Sequence, residues 1–240
     1  AVPANGVRGL DASLETVENI AMDQNGILYM SDSGRSQIYR LGLDGVLTIY
    51  AGTGQSGFSG DGGPATAAAF LMPGDIALDP QGNLYVADYG NCRIRKITKA
   101  TGVIQTIAGN GSSAFSGDGL PATATGMLPE YITVDGAGVV YFNSHSGRIY
   151  SIGADGIVRT IAGSGFSQAE NVSALHTSFR YIQGLTAAPD GTLYVSIMYD
   201  FASPNTRVRK ISPSGNVTTV AGGVGIGSTG DGGPATAAGV

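Results

Sequence analysis

Four stretches of this chain read as copies of one another. They are IAMDQNGILYMSD…QIYRLGLDGVLTIYAG from Ile20, IALDPQGNLYVADYGNCRIRKITKATGVIQTIAG from Ile76, ITVDGAGVVYFNSHSGRIYSIGADGIVRTIAG from Ile132, and LTAAPDGTLYVS…RVRKISPSGNVTTVAG from Leu185. Their starts lie 56, 56 and 53 residues apart. Self-similarity at such a period means a repeat architecture, in which each copy is one supersecondary unit that buries its faces against its neighbours.

Each copy holds four short runs rich in Ile, Val, Leu and Tyr, separated by turn residues. DQNG, DPQG, DGAG and PDG follow the first run, and LDG, ATG, ADG and PSGN follow the third. These are the residues that tolerate the left-handed backbone of a tight hairpin. With 39 Gly and 10 Pro in 240 residues there is little room for long helices. Three hairpins in series predict one four-stranded antiparallel sheet per copy, apolar enough to want cover on both faces. Stacking such sheets face to face about an axis gives an all-β fold, a β-propeller. The expectation is four four-stranded blades in one region over 1–240, with cores at about 17–52, 73–109, 129–163 and 182–222. Either they form an arc of a larger ring or they close as a four-bladed one. The arc is the favoured form, and it would leave the apolar face of a terminal blade in need of self-association or a partner chain.

A second signature links the copies: FSGDGGPATAAAFLMP from Phe58, FSGDGLPATATGMLP from Phe115 and TGDGGPATAAGV from Thr229. Pro64, Pro121 and Pro234 suit the first position of a short helix, with Asp61, Asp118 and Asp231 placed to cap it. After the third copy the linker reads FSQAENVSALHTSF and has lost this pattern. With these linkers in place the chain resembles the NHL-repeat proteins, in particular the glycine-rich bacterial subtype written GDGGPATAA…GNLYVADSGNNRIRKV…GVITTVAG. The likeness spans nearly the whole chain and is densest between Ala51 and Gly109. It implies a propeller, usually six-bladed, like the one in teneurin-type cell-surface proteins. Lactonases and antibiotic-ring lyases are kin by fold, which alone assigns no activity.

Net charge is −5 and the few Lys and Arg stand singly, so the basic stripe that nucleic-acid binding needs is absent. No run is apolar enough to cross a bilayer as a helix. Cys92, the single cysteine, has no partner within the chain and leaves the redox compartment open.

Alternation puts the linkers and the loops between second and third strands at one end of the blades. That loop face is where propellers bind. Its ligand candidates are Arg35, Asp88, Asn91, His145, Tyr199, Asp200 and Phe201, the last three in an insertion between Met198 and Asn205. Asp32, Asp88 and Asn91 have a bland alternative, the capping of their own turns. Arg93, Arg148 and Arg207 share one repeat position, which points to structure. Only two histidines occur, and no HExxH, paired Cys, GxSxG or calcium-loop motif does, so no catalytic residue, metal or cofactor is expected. GTGQSG and GIGSTG match a dinucleotide fingerprint in spacing only, because no long helix follows.

These residues favour a non-enzymatic, extracellular or cell-surface scaffold that binds a protein or glycan through its loop face. Secreted, periplasmic and surface locations all fit. The alternatives are a lactonase- or lyase-type enzyme with a metal or His at the central channel, and a structural subunit of a larger assembly.

Overall fold

The structure is a computed structural model that describes residues 6–167, 169–179, 181–198, 206–222 and 229–238. The fold is all-β: four antiparallel sheets, none of them closed on itself, in two compact units, Ala1–Ile132 and Thr133–Val240. In the first unit, blade 1 contains β1 (Val7–Arg8), β2 (Val17–Met22), β3 (Leu28–Asp32), β4 (Gln37–Leu41) and β5 (Val46–Ala51). Blade 2 contains β6 (Pro73–Leu78), β7 (Leu84–Asp88), β8 (Arg93–Ile97) and β9 (Ile104–Ala108).

In the second unit, blade 3 contains β10 (Ile132–Val134), β11 (Val140–Asn143), β12 (Ile149–Ile152) and β13 (Val158–Ala162). Its first residue closes unit one. Blade 4 contains β14 (Val172–Ser173), β15 (Ile182–Ala187), β16 (Leu193–Ile197), β17 (Arg207–Ile211) and β18 (Asn216–Ala221).

Every blade is a meander whose strands pair in chain order. The sequence predicts four strands per blade, but blades 1 and 4 have five, because β1 adds beside β5 and β14 beside β18. Both extra strands come from linkers. The blade 2 linker does the same with less regular geometry: Gly62 N donates to Ile104 O at 2.8 Å and Ala65 N to Gly102 O at 2.8 Å. Each of these linkers straps the outer edge of the blade that follows it, satisfying backbone groups that would otherwise template aggregation.

The expected short helix is present, but its proline and its cap differ from the expectation. Ala65–Ala67 forms a single 3₁₀ turn, Pro64 precedes it in extended conformation, and no side chain caps it. Three residues are too few for α-helical hydrogen bonds, and Asp61 is used elsewhere. The linker after blade 3, which lacks the sequence signature, still builds β14 and the turn Ala174–His176.

The third and fourth strands of each blade slip register at one place: between Ile38 and Tyr39, Ile94 and Arg95, Ile149 and Tyr150, and Val208 and Arg209. A bulge re-aims the side chain beside it. Here it turns Tyr39, Arg95, Tyr150 and Arg209 fully inward.

Within the first unit the two blades pack face to face around Ile38, Phe70, Ile76, Leu84, Val86 and Ile104, all buried. The opposite face of blade 1 is covered in part by Ala12 and Leu14. Ile20 there remains 58 % exposed, although its repeat equivalent Ile76 is 3 % exposed. Nothing among the described residues covers it as blade 1 covers blade 2.

Candidate functional site

The loop between β7 and β8 is fixed from beneath. Asp88, fully buried, accepts from Leu71 N at 2.9 Å and from Asn91 Nδ2 at 2.9 Å, and lies 3.5 Å from Arg95 Nη1. Burial pushes its carboxyl upward, opposed by Asn91, the Leu71 amide and Arg95. Arg95 also donates to Asp61 Oδ1 at 2.8 Å, Ser59 O at 2.8 Å and Ala69 O at 3.0 Å. Asp88 and Asn91 are thus braces of the loop.

Blade 1 repeats the device with Asp32, which takes the amides of Glu15, Thr16 and Arg35 at 2.9, 3.0 and 3.1 Å. The Arg35 side chain lies 3.7 Å from that carboxylate. His145 is exposed in the turn between β11 and β12. Tyr199, Asp200 and Phe201 lie outside the described residues.

Arg93 has a structural task. Its guanidinium donates to Asn91 O at 2.8 Å and Asn110 O at 3.2 Å and stands 3.9 Å above the Phe58 ring. In blade 4, Arg209 donates to Ala169 O at 3.0 Å and lies 3.7 Å from Glu170. Glu170 therefore replaces Asp61 in a linker whose sequence looked degenerate. Burial would raise the Glu170 pKa, but the hydroxyl and amide of Thr219, then Arg209 and Arg207, bring it below the usual value.

The loop-face end of the first strand shows a second kind of feature. Met72 and Tyr181 occupy the same repeat position, just before β6 and β15. Each holds a left-handed backbone, φ 50° and 52°, and each is 54 % exposed. Bulky residues enter this region only when the surrounding structure holds them there. Both blades hold a large side chain in solvent at the start of the innermost strand.

Below Met72, on β6, lies a carboxyl that the sequence reading missed. Asp75 is buried, with Oδ2 accepting from Ile132 N at 2.8 Å and Oδ1 from Ile76 N at 2.9 Å. Burial pushes its pKa up to about 6, and these two amides only moderate the rise. Tyr131 is near enough for Glu130, Asp75 and Glu18 to raise its phenol further than burial alone does. The missed signal is an acid inside an otherwise apolar strand, PGDIAL.

In the second unit a groove of about 470 Å³ opens between blades 3 and 4 at the tight-turn end. Asp135 and Tyr141 form part of its wall, with Tyr141 Oη donating to Asp135 Oδ2 at 3.0 Å. Burial, that bond and the carboxylate charge push the tyrosine up to about 12. No group of three or more His, Cys, Asp or Glu placed to hold a metal occurs among the described residues.

An NHL-repeat family model matches residues 70–97, and a strictosidine synthase-like N-terminal model matches residues 121–152. The four meander sheets have the fold of β-propeller blades, and residues 70–97 carry the NHL repeat pattern. Teneurin-1 of Mus musculus is 33 % identical over an alignment 103 positions long that covers 38 % of this chain and 4 % of that protein. Virginiamycin B lyase from Staphylococcus aureus superposes with a TM-score of 0.53 at 19 % identity, over 90 % of this chain and 61 % of the lyase. An auxiliary nutrient binding protein from Bacteroides thetaiotaomicron superposes with a TM-score of 0.58 at 12 % identity, over 88 % of this chain and 48 % of its own. These likenesses relate the fold to an enzyme and to a binding protein alike.

Proposed function

We propose that the chain is a non-enzymatic recognition domain of the glycine-rich bacterial NHL subtype, exported or at the cell surface, which takes a protein or glycan on its loop face. The observation that carries this reading is the matched pair Met72 and Tyr181. Both keep an unfavourable backbone conformation and both present a large side chain to solvent. Strain kept at equivalent positions points to use, and exposed Tyr and Met suit sugar faces and apolar protein anchors. The loop beside Met72 is braced by buried Asp88, which takes the Leu71 amide, so little ordering entropy opposes binding there.

The test is a glycan array and a panel of purified extracellular proteins, followed by titration of each hit. Met72→Ala with Tyr181→Ala should weaken a true ligand at least ten-fold while the melting temperature stays within about 3 °C. A ligand bound equally well by the double variant would refute the loop-face assignment.

A second reading, a lyase- or lactonase-type enzyme, is favoured by the superposition on the Staphylococcus aureus lyase. Solved structures weigh toward this reading, and the side chains described above weigh toward the first. His145 and the described carboxylates do not form a three-donor metal set. Asp75, with a pKa of about 6, is the residue such chemistry would draw on as an acid. Incubation with a streptogramin B antibiotic and with an aldonolactone, with and without divalent cations, decides the matter. Turnover lost in Asp75→Asn would replace the binding reading with this one.

A further inference from the structure

The four blades can be compared residue by residue at one spot. Opposite the second-strand tyrosine, the third strand bears a cation in three blades: Tyr29 faces Arg40, Tyr85 faces Lys96 and Tyr194 faces Lys210. In blade 3, Tyr141 faces Ser151. Blade 2 shows what the cation does. Tyr85 Oη donates to Asp79 Oδ2 at 3.2 Å, and Lys96 Nζ lies 3.8 Å from that oxygen and 5.1 Å from the ring centroid. Blade 3 keeps the acid and the phenol, Asp135 and Tyr141, without the ammonium.

A second cation is missing from the same place. In the first unit, Lys99 of the turn after β8 reaches back to Asp23, the blade 1 equivalent of Asp135, at 3.4 Å. The matching turn of blade 4 reads Ser212-Pro213-Ser214 and brings no charge. The groove of about 470 Å³ is lined by Asp135, Tyr141, Ser151, Asp190, Ser212 and Pro213, among others. Its Asp135 is the counterpart of Asp79 and Asp23, which take Lys96 and Lys99 in the first unit.

We propose that this groove binds a primary ammonium group carried on an alkyl chain. Asp135 is buried, and its Oδ1 takes the amides of Ala137 and Val139 at 2.9 Å. Oδ2 takes the Tyr141 hydroxyl and has lone-pair capacity for a further donor. Tyr141 lines the groove with an aromatic ring, a group that attracts cations, and Leu193, Ile211 and Pro213 line it with apolar surface for an alkyl stem.

The cation on the adjoining strand is engaged elsewhere. Arg159, opposite Ser151 on β13, pairs with Asp155 at 2.6 Å, and Lys210 exerts only the weakest of the influences on Asp190. The site lies at the end of its blades away from the loop face, so it stands or falls independently of the proposed function.

Such a group belongs either to a lysine side chain of a peptide or to a free amine, and the experiment separates them. The whole chain is titrated by NMR or calorimetry with n-butylamine, its neutral isostere n-butanol, 1,5-diaminopentane and an N-acetylated, C-amidated Gly-Lys-Gly peptide. Butylamine should bind at least ten-fold more tightly than butanol. Ser151→Lys restores the blade 2 arrangement and should weaken butylamine at least ten-fold with folding intact. Asp135→Asn, which keeps an acceptor for the two amides, should do the same. Tighter binding of the peptide than of the diamine assigns the lysine side chain, and the reverse assigns the free amine. Equal binding of butylamine and butanol, or a Ser151→Lys variant that binds as the parent does, would overturn the proposal.

Discussion

Arg95 donates through Nη2 to Asp61 Oδ1 at 2.8 Å, which ties the third strand of blade 2 to the linker that straps its outer edge. The arginine is fully buried, and its remaining donors are spent on Ser59 O, Ala69 O and Asp88. Breaking a buried charge pair from one side leaves an uncompensated ion. Arg95→Met should therefore lower stability by about 3–5 kcal/mol in denaturant titrations. Arg95→Lys should recover only part of it, since one ammonium cannot span four acceptors. A loss below about 1 kcal/mol would mean the contacts carry no net weight.

Asp75 makes stability depend on pH. Its folded pKa, about 6, exceeds the ordinary aspartate value of 3.8, so between these values the native state holds more protons than the unfolded state. Stability is then highest below about pH 4 as far as this group is concerned, and falls as pH rises through 6. The contribution is on the order of 3 kcal/mol. Thermal melts from pH 4 to pH 7 should show this slope in the parent chain and lose it in Asp75→Asn. The variant is a fair one, because blade 1 carries Asn19 at the same repeat position.

Gly109 closes β9 with φ 90°, and a Cβ there would collide with the Cys92 carbonyl and the Arg93 backbone. Gly163 meets Gly147 and Arg148 in the same way in blade 3. Backbone cannot move aside as a side-chain tip can. Gly109→Ala should cost more than about 2 kcal/mol, whereas Gly102→Ala, with φ 66° and open space around it, should cost only about 1. Equal losses in paired melts would refute the close-packing argument.

Cys92 sits in the left-handed region at φ 53°, half-buried beside the Arg93 strand. Burial pushes its thiol above the ordinary value and Asp88 adds to this, while Arg93 opposes it. At pH 8 the reactive thiolate is scarce, and a disulfide reagent should label the folded chain about ten-fold more slowly than free cysteine. Labelling at the rate of the unfolded chain would show the thiol to be open.

The blades were legible because their turns are spelled in Gly, Pro, Asn and Asp and their strands in apolar runs of even length. The straps were not, since their bonds to the outer strand use backbone groups that any side chains would supply. Arg95 and Arg209 were missed for a different reason: a charged residue in RIRK or RVRK reads as solvent-facing. The signal was available in the repeat comparison, where the same position holds Tyr39 and Tyr150. A slot filled by Tyr or Arg in turn is a slot for a long buried side chain. Of the loop-face candidates, Asp88 and Asn91 prove to be braces, and Met72, Tyr181 and Asp75 became visible only once strain and burial were known. Ser151 stands out solely against its counterparts Arg40, Lys96 and Lys210.

Because the linker seals the blade downstream of it, the exchangeable module runs from one Ala-Gly to the next. A recombination joint at Gly52 or Gly109 hands over each sheet together with its own border. A joint at the start of β6 or β15 would instead graft naked margins onto mismatched ties, separating Arg95 from Asp61 and Arg209 from Glu170. Shuffled libraries built on the two kinds of joint should differ in their yield of soluble protein for this reason alone.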